Sequence, residues 1–138
     1  MKLEHISFDS LNAKQKEFYN FQKVASILAD YGFNCIWLSD DWNGADFLAD
    51  HISGEKTLRV QLKARMAVDK KYLCKNITMA FPVNGNWYLI DHDLLVELIR
   101  KYTKRLQSSS WEHQGSLHSN KPSKVLIDAM SEFIIESN

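Results

Sequence analysis

Residues 44–65 read GADFLADHISGEKTLRVQLKAR, which predicts two β-strands joined by a tight turn at 53–56. Glycine and small polar residues in that turn favour a reversal of the chain. The first strand opens on a carboxylate, Asp46, and the second carries Gln61 and Lys63 two residues apart. Side chains two residues apart in a strand share a face, so an amide and an amine are expected side by side. An acid, an amide oxygen and a cation in this layout suit a magnesium-dependent phosphodiesterase.

The second strand alternates from Thr57 to Arg65, with polar side chains at odd positions and apolar side chains at even positions. This period of two is typical of a half-buried strand, and a polar face that is merely solvated is one interpretation of it. Asp46 has apolar neighbours at 47–49, and a carboxylate beside them needs a partner or a metal ion. The alternative for Asp46 is a turn-capping role after Asn43-Gly44.

A helix is predicted to run from Asn12 or Ser10 to about Tyr31. Its apolar positions at helical spacing are Phe18, Phe21, Val24, Ala25, Leu28 and Tyr31. At about 100° per residue, Glu17 projects in the same direction as this stripe, and a buried glutamate is unusual unless it is paired or metal-bound. The alternative is that the stripe emerges into solvent in the first turns, where the helix dipole favours an acid.

The remaining elements continue an alternation of helices and strands. Strands are predicted at 33–38, 45–52, 57–65, 77–81 and 87–90. A hairpin turn is predicted at 84–86, and two further helices are expected to begin near Asp91 or Asp93 and near Pro122-Ser123. Residues 66–76 are ambiguous, between a loop and a helical turn. Residues 107–120, rich in Ser, His, Gln and Gly, are predicted to be a mobile loop.

This order of elements predicts an α/β fold, a mixed central sheet flanked by helices, in one domain spanning 1–138. The chain has 138 residues, 45% of them hydrophobic, and a formal net charge of zero. The charge gives no support for a generally basic nucleic-acid binder, so affinity for DNA must come from a local patch or a metal. No apolar run approaches the roughly twenty residues of a transmembrane helix. A cytoplasmic protein without a membrane partner is therefore expected.

Together, Glu17, Asp46, Gln61 and Lys63 resemble the motif of the PD-(D/E)XK nuclease superfamily, which includes restriction endonucleases and Holliday-junction resolvases. In that family a helix with a frequent Glu precedes three strands, of which the second brings Asp and the third brings Glu-x-Lys or Gln-x-Lys. The resemblance covers roughly the first half of the chain. It implies a restriction-endonuclease-like three-layer core with a mixed sheet of about five strands. Two departures are Gln61 in the position of the usual Glu and the lack of a Pro before Asp46.

The resemblance also implies a chemistry. Asp46, the Gln61 side-chain oxygen and the Leu62 carbonyl would bind Mg²⁺, and Glu17 would bind it through water or hold a second ion. Lys63 would lie against the attacking water. The substrate would be DNA, and a homodimer is the simplest way for a small nuclease to cut both strands. Because Gln61 is neutral, we expect Mg²⁺ to bind more weakly than it would with a carboxylate at this position, with a preference for one tightly held ion over two. Mn²⁺ is expected to substitute for Mg²⁺.

Basic residues around this motif are predicted to form a positive rim for phosphates. They are Arg59, Arg65, Lys70, Lys71 and Lys75. The alternative is an ordinary solvated face. His113 and His118 are expected to be loop histidines and not metal ligands, and Trp42 is expected to cover the core and not to stack on a base.

Two other functions remain open beside the nuclease. The first is a catalytically weak or inactive nuclease-fold module that binds nucleic acid or a protein partner, which Gln61 and the zero net charge both allow. The second is a small structural or immunity-type partner protein whose polar strand face is only solvated. Fold and site do not by themselves decide among biological roles.

Overall fold

The computed structural model describes the backbone of residues 1–138 and all side chains except those of Asp41 and Trp42. The expectation for Trp42 therefore lies outside the described side chains. Over the described residues the helices are α1 Ala13–Ala29, α2 His92–Tyr102 and α3 Lys124–Met130. The strands are β1 Phe33–Trp42, β2 Ala45–His51, β3 Thr57–Leu62, β4 Met66–Asp69, β5 Thr78–Val83, β6 Asn86–Asp91, β7 Ser116–Ser119 and β8 Ile134–Ile135.

The main sheet is mixed and has the strand order β1-β2-β3-β5-β6-β8. Strands β3 and β5 are parallel, and the other neighbours are antiparallel. A separate antiparallel pair is formed by β4 and β7. The predicted mixed central sheet is confirmed, with the short β8 bringing it from about five strands to six.

Helices cover both faces of the sheet. On one face, Phe21, Val24 and Leu28 of α1 pack with Phe47 and Val60 of the sheet. On the other face, α2, α3 and the β4–β7 pair share a larger apolar cluster with β5 and β6. The architecture is thus three layers, helix, sheet and helices, and the smaller cluster packs α1 against β2 and β3.

The first helix begins at a reciprocal cap. The Asn12 side chain accepts a hydrogen bond from the Gln15 amide at 2.9 Å, and the Gln15 side chain accepts one from the Asn12 amide at 2.9 Å. This capping box satisfies two amides that the first turn leaves without helical partners. Asn12 is therefore the cap, and Ser10 is not. The helix ends at Ala29, two residues before the predicted end, and Gly32 at φ +87° turns the chain towards β1.

Two predicted loops are structured. Part of the ambiguous 66–76 segment is strand β4, and the predicted mobile loop contains a π-helical turn, Ser110–Gln114, and strand β7. Trp111 is 5% exposed and Leu117 is 3% exposed, and both join the larger core cluster. Their burial stabilises the segment by roughly 2 kcal/mol for each side chain. The prediction of a mobile loop is wrong because two apolar residues outweigh the polar composition around them.

Candidate functional site

A cleft of about 500 Å³ lies between the first half of α1 and the ends of β2 and β3; we call it the first cleft. Its lining residues are Phe8, Ala13, Lys16, Glu17, Asn20, Asp46, Gln61, Leu62, Lys63 and Ala64. The structure therefore brings Glu17, Asp46, Gln61 and Lys63 together around one cavity, although they come from a helix and two strands.

The cleft opens where β2 and β3 separate. Their pairing ends at Phe47 and Val60, so Asp46 and Gln61 stand at the next step of the ladder without pairing. In place of that pairing, the Asp46 Oδ2 accepts a hydrogen bond from the Leu62 amide at 2.8 Å. Strand β3 stays attached to β5 at this point, through the Lys63 amide and the Ala80 carbonyl oxygen at 2.9 Å. The carboxylate thus bridges the gap, and its orientation is set by the backbone of β3.

Gln61 is buried, with 7% of its surface exposed. Its Oε1 atom has no hydrogen-bond partner among the described residues. A buried acceptor left in this state costs about 1–3 kcal/mol of stability, and native structures rarely keep one without a reason. The idea of a merely solvated polar face is wrong at this position. Gln61 also lines the first cleft, so its unpartnered amide oxygen lies beside the cavity, and such an oxygen is suited to a cation or to a donor group of a bound molecule.

Lys63 is half-buried, and its Nζ lies 5.9 Å from the centroid of the Tyr72 ring. The ring face attracts a cation and holds the ammonium near the floor of the cleft. Among the described side chains, Lys63 forms no ion pair with a carboxylate. Its positive charge is therefore left for whatever enters the cleft.

Glu17 is exposed, so the interpretation that placed it inside the apolar stripe is wrong and its alternative is correct. The buried face of α1 begins at Phe21, because the first turns of the helix extend beyond the sheet. Glu17 nevertheless lines the first cleft. From this position it can act on a bound cation through water, whereas Asp46 and Gln61 stand on the opposite wall.

Sequence reasoning missed five lining residues, of which three carry a charged, amide or aromatic side chain: Lys16, Asn20 and Phe8. Asn20 lies three residues after Glu17 and four after Lys16, spacings that bring side chains together on a helix, and this periodicity could have revealed it. Phe8 lies in a short 3₁₀ turn before the helix, and its ring centroid is 5.1 Å from that of Tyr19. No local pattern marks Phe8, because its place at the cleft depends on how the N-terminal segment packs on α1.

The five predicted rim residues do not form one surface. Lys71 and Lys75 line a second cleft of about 240 Å³ with Asn43, Gly44 and Tyr72. The other three are distributed differently. Arg59 donates a hydrogen bond to the Lys75 carbonyl oxygen, the Lys70 Nζ lies 5.5 Å from the Trp111 ring centroid, and Arg65 is exposed.

His118 belongs to strand β7 and not to a loop. Burial lowers the pKa of His118, and the neighbouring charges of Arg65 and Lys63 lower it further, against an opposing effect from Asp69. The strand pairing of β4 with β7 thus brings an imidazole close to the cationic end of β3. His113 likewise lies in the π-helical turn, Ser110–Gln114.

The donor atoms around the first cleft are oxygens. In the part of the chain whose side chains are described, no group of three or more His, Cys, Asp or Glu is placed to hold a metal ion. A cation in the first cleft would therefore rely on Asp46, the amide oxygen of Gln61 and a backbone carbonyl. Such hard oxygen donors fit Mg²⁺, which is usually held by one or two carboxylates together with water and substrate phosphate.

No protein-family model matches the chain, and no curated protein matches it by sequence. Comparison with solved structures found a similarity to a bacterial homing endonuclease, I-Ssp6803I, with 13% sequence identity and a TM-score of 0.42. The matched region covers 83% of this chain and 80% of that one.

Proposed function

We propose that the protein is a metal-dependent nuclease of the PD-(D/E)XK type that hydrolyses phosphodiester bonds of DNA. The observation that carries the proposal is the buried, unpartnered Oε1 of Gln61, a residue that lines the same cleft as Asp46 and Lys63. These three groups come together only because β2 and β3 separate at this point. An acceptor, an acid and a cation on one small cavity suit a cation and a phosphate better than an apolar ligand.

Asp46, the Gln61 Oε1 and the Leu62 carbonyl would hold Mg²⁺, and Glu17 would reach it through water. When bound, the ion would supply charge neutralisation at the phosphate and a lower pKa for the attacking water. Lys63 would orient that water and stabilise negative charge on the non-bridging phosphate oxygens. Water oxygen bonds to phosphorus, the bond to the 3′ oxygen breaks, and the product carries a 5′-phosphate.

The neutral amide of Gln61 has a consequence for the ion. Compared with a carboxylate, it removes one negative charge from the site, so Mg²⁺ should bind weakly in the absence of DNA. Mn²⁺ binds nitrogen and oxygen sites more strongly and should restore activity at lower concentration. Calorimetry that finds two tightly bound Mg²⁺ ions without DNA would contradict this assignment.

The proposal extends to the partners and location of the protein. Arg65 and Lys70 would add phosphate contacts outside the clefts. A homodimer would provide two active sites for two strands. No helix in the described part of the chain has the length and apolar character to cross a bilayer, and we place the protein in the cytoplasm.

A second candidate is a nuclease-fold module that binds nucleic acid or a protein without cleaving DNA. It is favoured by one feature, the replacement of the usual second carboxylate by Gln61. Such a module would keep the cleft but would lack the charge needed to retain a divalent ion.

The test is to incubate supercoiled, linear and branched DNA with Mg²⁺ or Mn²⁺ and to compare wild type with Asp46→Ala and Lys63→Ala. Lys56→Ala is the matched control, because Lys56 is an exposed lysine before the start of β3, about 20 Å from Lys63 along the strand. We expect cleavage by wild type and the control only. Cleavage that survives both Asp46→Ala and Lys63→Ala would rule out the site, and binding without cleavage would favour the module.

A further inference from the structure

The second cleft adjoins the first at the ring of Tyr72. The Tyr72 side chain is 4% exposed and lines the second cleft. The Lys63 Nζ, from the first cleft, lies 5.9 Å from the ring centroid, and the Lys71 Nζ lies 5.2 Å from the same centroid. Those two distances place the ammonium nitrogens no more than about 11 Å apart. A single buried ring therefore lies between a lysine of the first cleft and a lysine of the second.

The second cleft has an excess of positive charge. Lys71 and Lys75 contribute two ammonium groups, and the other lining residues, Asn43, Gly44 and Tyr72, carry no acid. Among the side chains that the structure describes, neither lysine forms an ion pair with a carboxylate. Like charges brought together without a counter-ion attract an anion. This is the reverse of the first cleft, where acceptor oxygens predominate.

The backbone under the second cleft is held in place from several sides. The Asp69 side chain accepts a hydrogen bond from the Lys71 amide at 2.9 Å, and Asp93 accepts one from the Cys74 amide at 2.9 Å. The guanidinium of Arg59 donates to the Lys75 carbonyl oxygen. Because these contacts fix the segment before any ligand arrives, little ordering entropy is lost on binding.

Gly44 closes the opposite wall against Tyr72. It has φ +87°, and a Cβ at this position would come within 3.1 Å of the Tyr72 ring. Glycine is therefore required both by the left-handed backbone and by the close approach of the ring. The same glycine lies two residues before Asp46, so one short stretch of the chain contributes a residue to each cleft.

We propose that the second cleft binds a backbone phosphate of the DNA strand that enters the first cleft, with Lys71 and Lys75 as its ligands. This inference rests on the proposed function and adds a second phosphate subsite to it. Each strand of duplex DNA carries one phosphate per 3.4 Å of helix axis, so about 11 Å spans roughly three nucleotides. The bound phosphate thus lies within about three nucleotides of the scissile one.

The experiment measures binding of a short fluorescein-labelled DNA duplex by anisotropy, in EDTA, over a series of salt concentrations. The variants are Lys71→Gln with Lys75→Gln, and the matched control is Lys56→Gln with Lys124→Gln, which alters two exposed lysines away from both clefts. A third protein, Lys71→Arg with Lys75→Arg, keeps both charges. Thermal unfolding verifies that all of them fold.

We expect the Gln pair in the second cleft to reduce the magnitude of the slope of log K against log salt by about 0.9, since the loss of one phosphate contact removes about 0.9. Affinity should fall by the same factor for unrelated sequences. The Arg pair should restore the slope, and the control pair should leave it unchanged. A slope that stays at the wild-type value in the Gln pair, or falls equally in the control, would overturn the subsite.

Failure of the subsite and failure of the nuclease give different results. Binding in EDTA requires no cleavage, so a lower slope in the Gln pair supports the subsite even if wild type cuts no DNA with Mn²⁺. Conversely, cleavage that depends on Asp46, together with an unchanged slope, would keep the nuclease and reject the subsite.

Discussion

The two clefts are neighbours in the structure, but the residues that line them differ in chemistry. The first is lined by two carboxylates, Glu17 and Asp46, and by the amide of Gln61, together with two lysines, Lys16 and Lys63. The second presents the ammonium groups of Lys71 and Lys75, and no acid is among its lining residues whose side chains are described. A cleft of acceptors suits a metal ion, and a cleft of cations suits a phosphate. Lys63, a residue of the first cleft, has its Nζ near the ring of Tyr72, a residue of the second. Under the proposal, one DNA strand would occupy both clefts, with the scissile phosphate and its metal ion in the first and another backbone phosphate in the second.

The largest effect is expected on DNA cleavage, when the Asp46 carboxylate of the first cleft is removed and compared with another acid on the same strand. Asp46→Asn should lower DNA cleavage at least about a hundredfold, because even groups that only support metal ligands cost 10–100-fold when removed. Asp50→Asn is the control, since Asp50 is exposed on the same strand, away from the cleft, and accepts a hydrogen bond from the Thr57 hydroxyl at 2.8 Å. Rates with Mn²⁺ on supercoiled DNA provide the measurement. Equal losses of cleavage rate in the two variants would mean that Asp46 has no special role in the first cleft, and the contrast between a metal-binding and a phosphate-binding cleft would fail.

A charge added to the first cleft should strengthen its preference for cations. Gln61→Glu restores a second carboxylate, and we expect Mg²⁺ to bind roughly tenfold more tightly, an increase of about 1.4 kcal/mol. Calorimetric titration of the DNA-free protein measures the affinity. Gln107→Glu, at an exposed position outside both clefts, controls for a general effect of charge. Unchanged Mg²⁺ affinity in Gln61→Glu would mean that the Oε1 of Gln61 does not face the ion.

Removing the unpartnered Oε1 of Gln61 should raise the stability of the folded protein and at the same time abolish cleavage. Gln61→Met keeps a side chain of similar length but deletes the buried amide, so the free energy of unfolding should rise by about 1 kcal/mol. Metal-dependent cleavage should be lost in the same variant. Urea unfolding provides the measurement, with exposed Gln107→Met expected to change little. A less stable Gln61→Met protein would show that the amide has a partner in solution.

The smallest effect concerns His118, beside the cationic end of the clefts. Burial and the charges of Arg65 and Lys63 hold the pKa of His118 below 6.5, its ordinary value. The unfolded chain therefore takes up this proton first as the pH falls below about 6.5, and the folded state loses stability until the folded pKa is passed. His118→Gln should reduce the loss between about pH 7 and pH 5. The loss is small because the imidazole is largely exposed.

The control for this last prediction is His5→Gln, in the exposed N-terminal segment, which should leave the pH dependence of urea unfolding as in wild type. If the free energy of unfolding depends on pH in the same way in wild type and in His118→Gln, burial and the charges of Arg65 and Lys63 do not lower the pKa of His118.

Local patterns predicted most of the elements correctly. The capping pair Asn12 and Gln15, the turn at 53–56 and the hairpin at Asn84-Gly85 each depend on residues within a few positions of one another. Asn84 and Gly85 have φ of +52° and +80°, as a two-residue hairpin turn requires. Asp91 caps α2 by accepting a hydrogen bond from the Leu94 amide at 3.0 Å. Such elements follow from the sequence because their stabilising contacts are close along the chain.

Errors occurred where partners are distant along the chain. Strand β4 pairs with β7 about fifty residues later, Met66 opposite Ser119, and no local pattern in either segment indicates the other. Glu17 falls on the apolar stripe by periodicity, yet it is exposed because α1 extends beyond the sheet. Helical phase gives the direction of a side chain, and only the packing partner decides whether that direction is buried.

By itself, the sequence determined the order of the three helices and of the five longer strands of the main sheet, several of their caps and turns, and the alternation that places Gln61 and Lys63 on one face of the predicted strand 57–65. Only the tertiary structure decided that β2 and β3 separate at Asp46, that the Oε1 of Gln61 is buried without a partner, and that Tyr72 joins two clefts. The physical reason is range. Caps, turns and alternation arise from contacts within a few residues, whereas burial and the shape of a cleft depend on surfaces that meet only when the sheet and its helices pack.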